Sequence, residues 1–429
     1  MWENEGRKTL IRNIVIFLIL VIVAAGLVTA MISVKKQIDA EDELLSAEHS
    51  SQRQEQSAAR QENLDVVQKA YEADLQTLQT YLPGIVCWGD SLTAGSSGNV
   101  SYPYTLQTYI DTYLCDIYDL HYSIENAEEY SRLDWDSYKI SIPVVNMGAG
   151  KENNATILGR SGVVPYVVKA DFVIPGDTQP VAVTLVSQDG RTVSPLTAGS
   201  AGVNPVTIAG VQGTLTRETD SQSWGPATYC FTRLEAGAET PVASGTEIEV
   251  ACKAEYQDYI HVVWLGTYSE YTSAEKLVSD TKALLQRQTG NPDRYLVIGP
   301  CTVGGSWTST TSTTMDAIDS AMLQAFGNHY INVRKYLMED GLRDAGISAS
   351  RTDTYSIAQG KVPDTFRSTA GGADLNGVAY KLVGKLVYER MERLGYFEEV
   401  RQELDLEKAT QELLKEDTSY FKKQLEAKK

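Results

Sequence analysis

Residues 85–95 read IVCWGDSLTAG: an apolar run, Ile85–Trp88, delivers Gly89, Asp90 and Ser91 at its end. A short apolar run bounded by glycine predicts a buried strand. A glycine, an acid and a hydroxyl just past its carboxyl end stand where open α/β sheets bind ligands. Further apolar runs follow at Ile142–Asn146, Tyr259–Leu265 and Tyr295–Gly299, with a short one near Tyr330–Val333. Between them helical spacing recurs over Tyr104–Tyr113, Ser273–Gln288, Thr314–Phe326 and Leu375–Leu394. Strands alternating with helices predict a parallel sheet with helices on both faces.

One block breaks this rhythm. Residues 164–256 are rich in Val, Thr and Gly, with alternating runs such as VAVTLV (181–186) and EIEVAC (247–252). They read as an inserted all-β module that divides the α/β domain into parts 84–163 and 257–395. Cys230 and Cys252 fall on two candidate strands of the module, and their pairing is open. Cys87, Cys115 and Cys301 read as small core residues.

At the N-terminus, residues 14–34 (IVIFLILVIVAAGLVTAMISV) carry no charge. A helix of that length spans about 30 Å, the thickness of a bilayer core. It is longer than a signal-peptide apolar region, so a single-pass anchor is expected. Arg7, Lys8 and Arg12 before it favour residues 1–13 in the cytoplasm and the bulk of the chain outside. Residues 35–83 form a polar helical stalk, whose second half carries Leu64, Val67, Tyr71, Leu75 and Leu78 at helical spacing. Residues 396–429 are a charged helical tail, expected to be solvated or loosely docked. Stalk and tail are the segments through which a homo-oligomer or a protein partner would form.

The net charge is −18, from 38 Lys+Arg against 56 Asp+Glu, which argues against nucleic acid as a partner. The four histidines, His49, His121, His261 and His329, are scattered, so no metal centre is expected. GAGK (148–151) lacks the upstream glycine of a phosphate loop, and Glu152 stands where Ser or Thr would be. No cofactor is expected.

The GDSL tetrapeptide behind a buried strand resembles the SGNH/GDSL hydrolase family, an esterase and lipase family. IPVVNMGAG (142–150), VVWLGTY (262–268), INVRKYLMEDGLRDAGI (331–347) and DLNGVAYKL (374–382) are similar to its later blocks. The resemblance covers about residues 84–395 outside the β-module and implies a flavodoxin-like parallel sheet. In that family a serine nucleophile is activated by a histidine, which an aspartate three residues earlier orients. The oxyanion is held by backbone N–H groups and an asparagine.

Carried over, the nucleophile is Ser91, with Asp90 beside it. The oxyanion glycine falls on Lys151 or, with a shift, Gly150. In the third block Gly266 is kept and Tyr268 stands at the asparagine. Asp374 stands at the histidine, and the orienting aspartate falls on Gly371 or Thr369. A carboxylate, with an ordinary pKa of about 4, is a weak base for a serine hydroxyl. Losing a triad histidine costs on the order of 10⁶ in kcat.

A plainer reading makes Ser91 the N-cap of the following helix, and His261, at a strand start, a structural residue. The aromatic segment 118–138 reads as core packing, a lid or a sugar-stacking surface, and Gly304–Thr314 as a hydroxyl-rich loop. The expectation is a membrane-anchored, extracytoplasmic, catalytically impaired SGNH-like protein. It would bind or scaffold in a bacterial cell envelope, with a cell-surface glycan or acylated polymer as ligand. The alternatives are an active serine esterase or O-deacetylase with a displaced base, Asp374 or His121, and a structural oligomerising component.

Overall fold

The computed structural model describes residues 3–96, 100–125, 140–218, 227–267, 273–290, 292–301, 309–369, 372–416 and 419–426. Among these, residues up to Tyr71 form one unit and those from Glu72 onward a second.

The first unit is helical. Helix α1 (Glu3–Tyr81) runs unbroken through the apolar segment and the polar stretch after it. Consecutive residues from Ile14 to Val23 all expose apolar side chains, so the helix is apolar on every face. Such a surface suits lipid rather than water. The helix is long and apolar enough to cross a membrane, and a signal sequence passes the same test.

The second unit is a mixed α/β body built on a parallel sheet. Its strands are β1 (Ile85–Gly89), β2 (Val144–Gly148), β3 (Ile260–Trp264), β4 (Tyr295–Ile298) and β5 (Tyr330–Ile331), in the order β5-β4-β3-β1-β2. Gly89 lies level with Gly148 on one side and Trp264 on the other. Every residue of β1 and β3 is buried, so both faces at the centre of the sheet are covered. β2 starts two residues later than the sequence predicts, because Pro143 has no N–H to give; its carbonyl accepts from Ile85 instead, at 2.9 Å.

The helices depart from expectation in four places. Short α2 (Ser91–Ala94) is capped by the Asp90 carboxylate, which accepts from the Leu92 N–H at 3.0 Å, so Ser91 is the first helical residue and not the cap. Helix α3 (Tyr102–Ile110) starts early on the Ser101 cap and continues through a widened turn into α4 (Asp116–Glu125). Part of the aromatic segment is therefore helical: Tyr118 is buried and stacks on Tyr122 at 5.6 Å, while its remainder, 126–138, lies outside the described residues. Helix α5 (Asn154–Arg160) was not foreseen. Helices α6 (Ala274–Leu285) and α7 (Ser309–Phe326) follow β3 and β4, with α7 starting inside the segment read as a loop. Helix α8 (Gly377–Arg393) packs along α3.

The tail is docked rather than solvated. Leu406, Ala409 and Leu413 of α9 (Leu406–Lys415) are buried, as is Phe421. Glu412 of this helix meets His121 Nε2 at 2.7 Å, and the Tyr113 hydroxyl donates to the Gln424 carbonyl at 3.1 Å.

Between α5 and β3 lies a separate antiparallel sheet. Its strands run in the order Val181–Val183, Tyr229–Arg233, Val211–Arg217, Val206–Ile208, Glu247–Val250, Tyr166–Val168, Leu185–Ser187. The first and last of these are joined by Thr184 alone, so the sheet is nearly closed on itself. Alternating burial along Tyr229–Arg233 turns Tyr229 and Phe231 into its core. All five cysteines are free thiols, and Cys252 lies in a 3₁₀ turn, not on a strand.

Gly148 ends β2 against the backbone of α2: a Cβ there would lie 2.1 Å from the Ala94 nitrogen and 2.6 Å from the Thr93 carbonyl carbon. Main-chain atoms cannot swing aside as a side chain can. Gly148→Ala is expected to destabilise the fold by about 1–3 kcal/mol, the usual range for overpacking, read as a lower thermal midpoint. An unchanged midpoint would show that α2 is not pinned by β2.

Candidate functional site

The site is built where β1 ends. Strand β1 carries Asp90 and Ser91 past the edge of the sheet, and Asp90 turns the chain into α2. Asn146 of β2 fastens that turn: its side chain accepts from the Gly148 N–H at 2.9 Å and donates to the Ala94 carbonyl at 3.4 Å.

The half-buried Ser91 hydroxyl donates to Asp374 Oδ1 at 2.9 Å, across 283 residues of chain. Asp374 is positioned by its backbone. Its carbonyl accepts from the Ser368 N–H at 2.9 Å, and its neighbour Leu375, fully buried, bridges to Arg367. Asn376 then caps α8, accepting from the Val378 and Ala379 N–H groups, while its amide donates to the Thr365 carbonyl at 2.7 Å. Thr365 is itself held through its N–H and hydroxyl by the buried Asp353 carboxylate. Sequence reasoning missed Asp353, whose only local signal was a Ser350–Asp353 capping box.

Asp90 is 1% exposed beneath the serine. Burial pushes its carboxyl up to about 7; the Leu92 N–H and the Thr267 main chain oppose this, and the nearby Asp374 charge adds to it. One acid is therefore bonded to the serine hydroxyl and a second, its neighbour in sequence, is buried within reach of the first acid's charge.

The other sequence-derived residues are placed as follows. Gly150 and Lys151 follow β2 in a turn, and Lys151, at φ +65°, takes the left-handed conformation that favours glycine. Gly150 faces the antiparallel sheet's long loop: a Cβ on it would lie 3.3 Å from the Ala198 Cβ. Gly266 has φ +109° and leads into the buried Thr267. Tyr268, Gly371 and residues 302–308 lie outside the described residues; Thr369 is exposed and closes a turn with Gly372. Of the two candidate bases, Asp374 is the one bonded to Ser91, while His121 is engaged by Glu412. His261 is fully buried, its Nε2 is 3.0 Å from the Tyr256 carbonyl, and burial pulls it down to about 4. Among the described residues, no three His, Cys, Asp or Glu side chains are grouped to hold a metal ion.

No family model matches the chain, and no curated protein matches it. Among solved structures, a peptidoglycan O-acetylesterase is similar over 78% of this chain and 96% of its own length, at 10% identity and a TM-score of 0.28.

Asp90 gives the site a pH signature. Its carboxyl titrates higher in the folded chain than when unfolded, so folding takes up a proton between about pH 4 and pH 7. Its contribution to stability is full below that window and lost as pH rises through it. Asp90→Asn, which keeps an oxygen for the Leu92 N–H, is expected to gain on the wild type in thermal midpoint as pH rises from 4 to 8. A constant difference across that range would place Asp90 in water rather than in the interior.

Proposed function

We propose that the second unit is an SGNH-like body whose site binds hydroxyl-bearing ligands and has given up efficient acyl transfer. It would be held at a bacterial cell membrane by α1, with the N-terminus cytoplasmic and the bulk of the chain outside. The β5-β4-β3-β1-β2 order, the Gly-Asp-Ser turn at the end of β1 and the D-L-N segment opening α8 support the SGNH-like reading.

The observation that carries the function is the 2.9 Å bond from the Ser91 hydroxyl to Asp374. A histidine at that place takes the serine's proton, becomes a cation beside the forming oxyanion, and then passes the proton to the leaving group. A carboxylate carries no positive charge at any stage. Asp90, buried below, adds no positive charge either. Acyl transfer builds negative charge next to the serine, and this surrounding opposes it. The same groups suit a sugar: a carboxylate accepts and a serine both accepts and donates, which is what glycan hydroxyls need. A cell-surface glycan or acylated polymer is the ligand class that follows.

The same distance is also what a working esterase with Asp374 as base requires, so the two readings meet in one experiment. Turnover of aryl acetates by the full chain is expected to be no higher than that of Ser91→Ala. Asp374→His, which restores an imidazole, is expected to raise it by about 10²-fold or more, the lower end of what a positioned base contributes. Clear wild-type turnover that vanishes in Ser91→Ala, with covalent labelling of Ser91 by a fluorophosphonate, would overturn the binding reading in favour of the esterase.

A further inference from the structure

A groove of about 450 Å³ runs between α3 and α8 and is lined by neither Ser91 nor Asp374. It begins close to the site: Gly377, three residues after Asp374, would bring a Cβ within 3.4 Å of Val100 Cγ1, and both residues line its mouth. Its size falls in the range of small-ligand pockets, about 300–1,000 Å³.

The lining has two chemistries. Tyr104, 47% exposed, presents a ring at the rim. Deeper, Tyr109 stacks on Tyr113 at 5.7 Å and on Tyr388 at 5.3 Å, so the aromatic floor is held in place by ring contacts. Thr105 and Thr108 also line the groove, their hydroxyls donating to the Ser101 and Tyr104 carbonyls at 3.4 and 3.1 Å and keeping an oxygen as acceptor. Flat rings with polar edges accept the apolar face of a sugar while its hydroxyls remain hydrogen-bonded. Lys381 and Lys385 supply the second chemistry. They stand one turn apart on the same side of α8 and both line the groove. Lys385 is paired with Glu389 at 3.8 Å, and Lys381 is exposed. Glu389 lines the groove as well and offsets Lys385, so the exposed Lys381 ammonium is the charge in the lining that an anion would meet, in a chain of net charge −18.

We infer that this groove is a subsite for an acidic polysaccharide, with a sugar ring on Tyr104 and its carboxylate at Lys381, leading the strand toward Ser91 and Asp374. The inference rests on the glycan reading of the Ser91 site and names its ligand class.

Binding of oligogalacturonate to the full chain in detergent, beside an uncharged chito-oligosaccharide of the same length, tests it. The acidic oligomer is expected to bind about fivefold tighter at low salt, with the difference lost at high salt. Lys381→Gln should remove that difference and leave the uncharged oligomer unaffected. Tyr104→Ala should weaken both by about 3- to 10-fold, the worth of a ring contact. Both side chains are at the surface, so these variants should fold, and unchanged thermal midpoints check this. If neither oligomer binds, if both variants bind as the wild type does, or if a dansylated fatty acid binds in a Tyr104-dependent way instead, the inference is overturned. Ester turnover in Ser91→Ala reads the dyad alone, so failure of the groove and failure of the binding reading at Ser91 are told apart.

Discussion

A fully buried guanidinium ties together the parts of the second unit that meet beneath the candidate site. Arg160, at the end of α5, has no exposed surface, and its Nε donates to Glu152 at 2.9 Å. One terminal nitrogen reaches the Met147 carbonyl of β2 at 2.8 Å, and the other the Ala201 carbonyl of the antiparallel sheet's loop at 3.2 Å. Its plane lies 5.4 Å from the Trp88 ring, and Arg287 covers the same ring at 5.2 Å while donating to the carbonyls of Ser161, Cys252 and Glu255. A charge taken out of water on this scale is tolerated only where nearly all of its donors are used. The strand that carries Ser91, its neighbour β2 and the antiparallel sheet therefore share one anchor. Burial pushes the Glu152 carboxyl up while Arg160 pulls it down.

Around that anchor the candidate site is assembled from rigid parts. The serine sits on the first turn after a fully buried strand, and its partner acid is carried by a bridge between Arg367 and Leu375. Neither depends on a mobile side chain for its position. What varies is charge. Asp90 lies within the Coulomb reach of Asp374, whose charge adds to what burial does in holding the Asp90 carboxyl up. A site of this kind is tuned by acids where a hydrolase is tuned by an imidazole.

Much of this is legible in the sequence. Ile85–Trp88 and Tyr259–Leu265 announce the central strands because a strand buried on both faces shows an unbroken apolar run. The closeness of Ser91 and Asp374 was accessible only through resemblance, since no local pattern ties residues so far apart. The rest was hidden for physical reasons. Helix α4 carries a Tyr- and Asp-rich sequence whose buried face, Ile117 and Tyr118, is too short to stand out from its polar neighbours. The tail's leucines were visible, but a charged helix reads as solvated until a partner such as His121 and Tyr113 is known. The groove between α3 and α8 is a tertiary product: Tyr104 and Lys381 each read as ordinary surface residues on separate helices.

The antiparallel sheet bears on how the chain reaches this state. β1 and β3 are neighbours in the parallel sheet, Ile85 beside Ile260, yet the whole of that second sheet is threaded between them in sequence. Its first strand, Tyr166–Val168, pairs with its last, Glu247–Val250, so entry and exit lie side by side once it has formed. Closing β1 onto β3 before then means ordering a long flexible loop, whose entropy cost grows with its length. Closing it afterwards means joining two ends already brought together. Formation of the antiparallel sheet therefore lowers the loop-closure cost of the central pairing of the α/β body, so the stability of the insert is coupled to that of the Ser91 site without touching any residue in it.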